Sequence, residues 1–335
     1  MSSSTDLVVL PNPSGNRVYA GAAARLAAAE ISLTVPAVDP DSVRITTLGG
    51  LDHVEFRAPT ETTEDRTALA RLCSPLLVSR REGDGLVPLD LPAVSGLDED
   101  LVTIPKYPGK TNEQFTQLLV HLACAQLEAR PEPYQILDPL CGRGTTTSCA
   151  WLAGHHGYGV EADQKAIDAH AAFLRTWLRR KRLKHKVSND PLRRDGKVLG
   201  RRLEASVTDP TTGSVLQLGI LPGDTRDSAA LWGKRKFDAV IADAPYGVVH
   251  GSNHDGRRTR SAKDLLAEAI PVWAGQLRSG GVLALAWNTT GLARESLLGL
   301  VSGAGLAPFD EGAWTELAHR VDSSIHRDVL VATRA

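Results

Sequence analysis

The strongest constraint on this chain is an alternation confined to its last two-thirds. Short apolar runs at 134–138 (YQILD), 157–161 (GYGVE), 237–242 (FDAVIA) and 282–287 (VLALAW) alternate with helical stretches at 145–153, 164–186 and 263–277. Strands this short and apolar along their whole length belong to a parallel sheet with both faces covered by helices, which excludes a bundle or a sandwich for this region. Ile167, His170, Leu174 and Trp177 recur at helical spacing and should form the inner face of the long helix. Segments 202–209 and 214–220 flank a DPTTG turn signal and predict a hairpin. The first hundred residues read differently, with an Ala-rich helix over 20–33, strand-like pieces at 42–47 and 53–57, and a short helix near 67–73. A Pro, Gly and Asp-rich passage over 91–110 changes the texture, so the expected organisation is a small α+β unit over 1–102 and an α/β domain over 103–335.

Composition excludes several classes. A chain of 335 residues that is 42% hydrophobic and 23% charged is a folded globular protein with a prior of about two domains. No apolar run reaches the roughly 18 residues of a membrane helix, and the opening residues lack a basic start, so the expectation is a cytoplasmic protein. Cys73, Cys124, Cys141 and Cys149 form no CxxC pair, which suggests neither a metal site nor a redox couple. The net charge of -1 conceals segregation. Residues 1–100 hold 8 Arg, no Lys and 15 Asp or Glu, a balance of −7, whereas residues 175–202 hold 12 Lys or Arg against 2 Asp, a balance of +10. The basic block is either a solvated helix face or a phosphate-binding stripe.

Open α/β sheets bind ligands beyond the carboxyl ends of their strands. The first such loop reads ILDPLCGRGTTT, with Asp138 at the strand end, Gly142 and Gly144 in the turn and Thr145 and Thr146 opening the helix. Glycines there permit positive φ and close approach of a ligand to the backbone. A dinucleotide fingerprint would have a third glycine where Thr147 stands, so pyrophosphate is disfavoured. An acidic strand end facing an ammonium, and a helix N-terminus facing a carboxylate, suit a cofactor with an amino acid end. Glu161 closes the next strand at about the spacing where a carboxylate meets ribose hydroxyls, although Glu161 and Asp163 can equally serve the start of the following helix. Asp224, in PGDT, is placed to accept an adenine amino group or to make a turn.

DPLCGRGTT, GVEAD, GDTRD and DAPYG, in that order, resemble the motifs of class I S-adenosylmethionine-dependent methyltransferases that act on exocyclic amines of nucleobases. DPxCGxGT with a DxPYG strand end is similar to the THUMP-associated tRNA guanine-N2 methyltransferases, and the likeness spans about 106–334. The resemblance implies a Rossmann-like domain with a mostly parallel sheet and a C-terminal antiparallel hairpin. It implies S-adenosylmethionine held by Asp138, Pro139, Cys141, Gly142, Gly144, Thr145, Thr146, Glu161, Ala162, Asp224 and Thr225, with Thr111 and Phe115 from a preceding helix. It implies catalysis by Asp243, Ala244, Pro245 and Tyr246, no metal, and RNA, tRNA above all, as partner. The same tetrad serves adenine-N6 and cytosine-N4 methylation of DNA, and a non-catalytic nucleic-acid binder with a vestigial cofactor fold is the alternative of another class.

Chemistry accounts for the tetrad's residue types. An aromatic amine has its lone pair delocalised into the ring, so methyl transfer needs the nitrogen drawn toward tetrahedral geometry and aimed at the donor carbon. The Asp243 carboxylate and the Ala244 carbonyl can accept the amine hydrogens where positive charge grows, and Tyr246 can stack on the base. Alanine stands at 244 where the family has proline. The target base must be unstacked or flipped, so phosphates need a grip. Trp177, Arg179, Arg180 and Arg182 of the basic block, and Arg257 and Arg258 in the loop after the catalytic turn, are the candidates. The acidic first unit lacks the balance of an RNA-binding module, so a THUMP role is not carried over to it.

Overall fold

The computed structural model describes residues 4–14, 17–73, 75–127, 133–194, 196–245, 253–254, 257–258 and 261–335. The N-terminal unit is built from β1 (Thr5–Pro11), α1 (Arg17–Ala20), α2 (Ala23–Thr34), β2 (Asp39–Leu48), β3 (Leu51–Ala58), α3 (Thr63–Ala70), β4 (Pro75–Glu82) and β5 (Gly85–Pro88). Its sheet runs β2-β3-β1-β4-β5 with every pairing antiparallel. Ile31 of α2 and Leu69 of α3 pack with Val54, Phe56 and Val78 to form its core. Helix α3 starts before the predicted position because Thr62 and Asp65 form a reciprocal capping box.

This unit is joined to the rest by a shared interior. After α4 (Asp100–Thr103) and α5 (Glu113–Ala125), Leu118 and Leu122 of α5 enter one core with Tyr19, Leu26 and Ala29. The buried Glu30 carboxylate accepts the Cys73 N–H at 2.7 Å and pairs with His121 Nδ1 at 2.6 Å. Leu97, Leu101 and Val102 also belong to this larger core, although the texture of the sequence places them with the first unit.

The α/β region continues with β6 (Gln135–Asp138), α6 (Thr145–Leu152), β7 (His156–Glu161), α7 (Gln164–Arg180), β8 (His185–Arg194), β9 (Lys197–Thr208) and β10 (Val215–Pro222). There follow α8 (Ser228–Trp232), β11 (Phe237–Asp243), the two-residue strands β12 (Asn253–His254) and β13 (Arg257–Arg258), α9 (Ala262–Gln276) and β14 (Leu277–Asn288). The chain ends with α10 (Arg294–Gly303), β15 (Leu306–Phe309), β16 (His319–Arg320) and β17 (His326–Arg334).

The large sheet is ordered β15-β17-β14-β11-β6-β7-β10-β9-β8. Its five central strands, β14 to β10 in that order, pair in parallel. The antiparallel C-terminal pairing that the resemblance implies is present, β17 lying between β14 and β15. The opposite flank is antiparallel too, through β9 and β8, so the sheet is mixed and not mostly parallel. The reason lies in the chain after α7: the hairpin expected over 202–220 is present as β9 and β10, and β8 adds a further antiparallel strand that begins at His185, inside the stretch expected to be helix to 186. Helix α7 ends at Arg180 because Arg182 takes positive φ (55°), with Arg182 N–H bonded to Arg179 O and Leu183 N–H to Leu178 O, a Schellman close.

Candidate active site

Parallel strands carry their carboxyl ends to one rim, and that rim gathers the motif residues. Val240 lies opposite Leu137 in the β11·β6 pairing. Asp138 and Asp243 therefore end neighbouring strands, separated by one strand spacing and about two residues of rise, roughly 8 Å. The two loops on which the resemblance depends share one edge.

The glycine turn connects β6 to α6. Gly144 caps the helix at φ 76°, and a Cβ built there would lie 2.0 Å from the His170 ring, which α7 inserts beneath the turn. Gly142 also has positive φ (52°), but among the described residues nothing lies within 4 Å of the place its Cβ would occupy. One glycine is thus required by packing, and the other meets no described residue. Asp138 accepts the Leu140 N–H at 2.9 Å and is buried. Burial pushes its carboxyl up to about 7; hydrogen bonds from Thr146 and Leu140 oppose this, while the Asp243 and Glu161 charges add to it.

Glu161 accepts the Gly142 N–H at 2.7 Å and the Asp163 N–H at 2.7 Å, and burial raises its carboxyl. It holds the turn in place, and a carboxylate has about four acceptor directions, enough to take ribose hydroxyls as well. The Asp163 side chain caps α7, accepting from Lys165 N–H.

At the end of β11, Asp243 Oδ2 accepts the Thr111 hydroxyl at 2.6 Å and lies 3.5 Å from the Arg327 guanidinium. Arg327 is buried and sits over the Phe115 ring at 4.3 Å. The Ala244 N–H donates to Ala286 O at 2.8 Å, extending the ladder one residue past β11. The segment before α5 spans the two loops: its Tyr107 hydroxyl meets Thr145 Oγ1 at 3.0 Å, the Arg143 guanidinium covers the Tyr107 ring at 4.8 Å, and Thr111 reaches Asp243. Tyr107, Arg143 and Arg327 were missed in the sequence. Arg327, a lone cation entering the apolar run DVLVA, was the available signal.

Several expected ligand contacts are committed elsewhere. Phe115 has no exposed surface and packs on Arg327 and His319. The Thr225 hydroxyl is buried and accepts the Trp273 indole N–H at 3.0 Å. Cys141 is turned into the sheet, its Sγ lying 2.6 Å from where a Cβ at Gly159 would sit. Pro139 is buried and Ala162 is exposed. Both Asp224 oxygens are bound by Arg226, at 2.8 Å each, so a carboxylate expected to meet adenine already has a cation. Tyr246 lies outside the described residues, as do the side chains of Arg257 and Arg258, whose backbone forms β13.

The substrate-side expectations need the largest correction. Trp177 is buried and donates its indole N–H to Asp100 at 2.6 Å, so it is core. Helix α7 starts at the rim formed by the carboxyl ends of the parallel strands and runs the length of the sheet, about 25 Å for 17 residues. Arg179, Arg180 and Arg182 are exposed, but at the opposite rim from Asp243.

No protein-family model matches the chain, and no curated protein sequence does. Among solved structures it is similar to TrmN from Thermus thermophilus, at 15% identity and TM-score 0.42, over 88% of this chain and 59% of that one. The chain thus spans less than two-thirds of the length of TrmN. It is similar to magnesium protoporphyrin IX methyltransferase (ChlM) from Synechocystis PCC 6803 with bound SAM, at 14% identity and TM-score 0.41, over 68% of this chain and 87% of that one. A TehB-like SAM-dependent methyltransferase from Corynebacterium glutamicum matches at 16% identity and TM-score 0.37, over 62% and 83% respectively.

Proposed function

We propose that the chain is an S-adenosylmethionine-dependent N-methyltransferase acting on an exocyclic amine of a nucleobase in RNA, with guanine N2 of tRNA as the target. The observation that carries this reading is the shared rim: a buried acidic strand end and an open glycine turn lie one strand away from an Asp-Ala-Pro turn whose carboxylate is held by Thr111 and Arg327.

The residues fit such a cofactor. Asp138 is a buried carboxyl whose pKa is raised by its burial, with no cation beside it among the described residues, and an ammonium would supply one. No described residue covers Gly142, which supports a ligand lying against the backbone there, and Glu161, with two N–H partners, has acceptor directions left for a ribose diol. When bound, S-adenosylmethionine supplies the electrophilic methyl carbon. Asp243 and the Ala244 carbonyl accept hydrogen bonds from the target amine and stabilise the positive charge that grows on nitrogen. Arg327 and Thr111 fix the carboxylate before the substrate arrives, so little reorganisation is left for the reaction itself.

The test is incubation of purified protein with labelled methyl donor and separate pools of tRNA, rRNA and DNA, followed by nucleoside analysis. Label in tRNA as N2-methylguanosine is expected, with Asp243→Ala lowering the rate on the order of 10²- to 10³-fold while cofactor binding persists. Label only in DNA would move the activity to adenine or cytosine. Label in no pool would remove the substrate assignment.

A further inference from the structure

The basic block is divided by the fold, and its second half goes where the first does not. Strand β10 runs parallel to β7, with Pro222 level with Glu161, and Arg201 of β9 falls level with both by register. Residues 197–200 continue past that level, which carries the tip of the β8–β9 hairpin about 13 Å beyond the ligand-binding rim. Opposite them, Leu192 pairs with Gly200 and Arg193 with Val198 across a bulge. Arg193, Lys197 and Arg201 are exposed there, and Val198 and Leu199 expose 55% and 46% of their surface. Asp190 and Glu204 lie lower on the hairpin, next to Arg202.

The base of this arm is fastened. Gln164, first residue of α7, accepts the Arg201 N–H at 2.7 Å and donates to Arg201 O at 3.2 Å. Asn189 donates to Asp168 of the same helix at 2.8 Å. Gly200 takes φ 152° in van der Waals range of Pro222 and Gln164, where a side chain would collide. A charged, proline-bearing edge strand also discourages edge-to-edge pairing, but that purpose does not require extension beyond the sheet or an anchored bend.

From this geometry we infer that the β8–β9 hairpin is a docking arm for the RNA substrate, gripping backbone phosphates several nucleotides away from the target base. The inference rests on the nucleic-acid reading of the active site. Strands β9 and β8 stand four and five strand positions from β11, roughly 20–25 Å from Asp243, too far to touch the target nucleoside itself. Phosphates supply most of the affinity for a nucleic acid without specifying its sequence, and the exposed apolar tip can lie against an unstacked base or sugar.

The experiment measures binding and methyl transfer separately for the full chain with folded tRNA as probe, across a salt series. Arg193→Ala/Lys197→Ala is compared with Arg179→Ala/Arg180→Ala, which removes two charges from the far rim. The arm variant should bind on the order of tenfold or more weakly and lose between one and two units of the log–log salt slope, while kcat at saturating RNA and cofactor affinity stay unchanged. The far-rim variant should match wild type. Equal losses in both variants, or none in the arm variant, would overturn the inference, as would wild type that binds no tRNA. A changed oligomeric state in Val198→Ser/Leu199→Ser with RNA affinity intact would instead make the arm a self-association device and likewise overturn it. If tRNA is bound through the arm but not methylated, the docking inference stands and the proposed reaction fails.

Discussion

The two glycines of the first loop have different physical reasons, and mutation should separate them. Alanine at Gly144 would meet the His170 ring at 2.0 Å in a left-handed conformation, so Gly144→Ala should destabilise the fold by several kcal/mol, read as a drop in the urea midpoint. Alanine at Gly142 meets no described residue, so Gly142→Ala should cost about 1–2 kcal/mol for its positive φ yet lose cofactor affinity disproportionately. Equal stability losses at the two positions, or full cofactor affinity in Gly142→Ala, would contradict this division. At this scale much of the site was legible. The order Asp138, Gly142, Gly144, Glu161, Asp243 could be read because strand ends and tight turns leave local chemical signatures. Trp177 was misjudged because a tryptophan among arginines reads as a stacking platform, whereas periodicity had already placed it on the inner face of its helix. The Arg327 contact joins residues 84 positions apart, so the lone cation beside an apolar run marks the residue but not its partner.

Among elements, the strands that are apolar along their length were legible, as were edge strand β2 and the β9–β10 turn, whereas β1, β4 and β5 of the first unit were not. Strands β6, β7, β11 and β14 are largely apolar, but β1 buries only three residues in a row, β4 two, and β5 none, without clean alternation, so their pattern resembles loop. The overrun of α7 has a specific cause. Basic residues favour helix, and nothing in RRKRLKHK announces a left-handed residue, because arginine stands where glycine is usual. Arg182→Gly should therefore stabilise the protein by about 1 kcal/mol in chemical denaturation, since it removes the cost of a side chain at positive φ. A loss of stability would mean that the Arg182 side chain contributes more than its backbone strain costs.

For the whole molecule, buried ionisable groups set a pH dependence. Burial lowers His155 to about 3, and His170 and His319 to about 4, from an ordinary value of 6.5. A depressed histidine gives the unfolded state the greater proton uptake, so each loses stability as pH falls through 6.5 toward its folded pKa, by up to about 1.4 kcal/mol per pH unit. Asp138 and Glu161, raised by burial, act in the opposite sense, gaining stability as pH falls. Three histidines outweigh two carboxyls, so the unfolding free energy should decline between pH 6.5 and 4, measured by denaturant titration at each pH. A flat or rising profile would show that the histidines are charged in the folded state. The +10 segment also belongs to this scale. Its composition suggested one stripe, but a helix of fixed length followed by a returning hairpin sends its charges to opposite rims, an outcome visible only in three dimensions.

The claim beneath every functional statement is that β6 and β11 end in one pocket. A crystal structure with S-adenosylhomocysteine tests it most directly. The amino group is expected against Asp138, the ribose against Glu161, and the sulfur facing Asp243 across the space over Gly142. A ligand seated elsewhere, or in that loop with its sulfur turned away from Asp243, would contradict it.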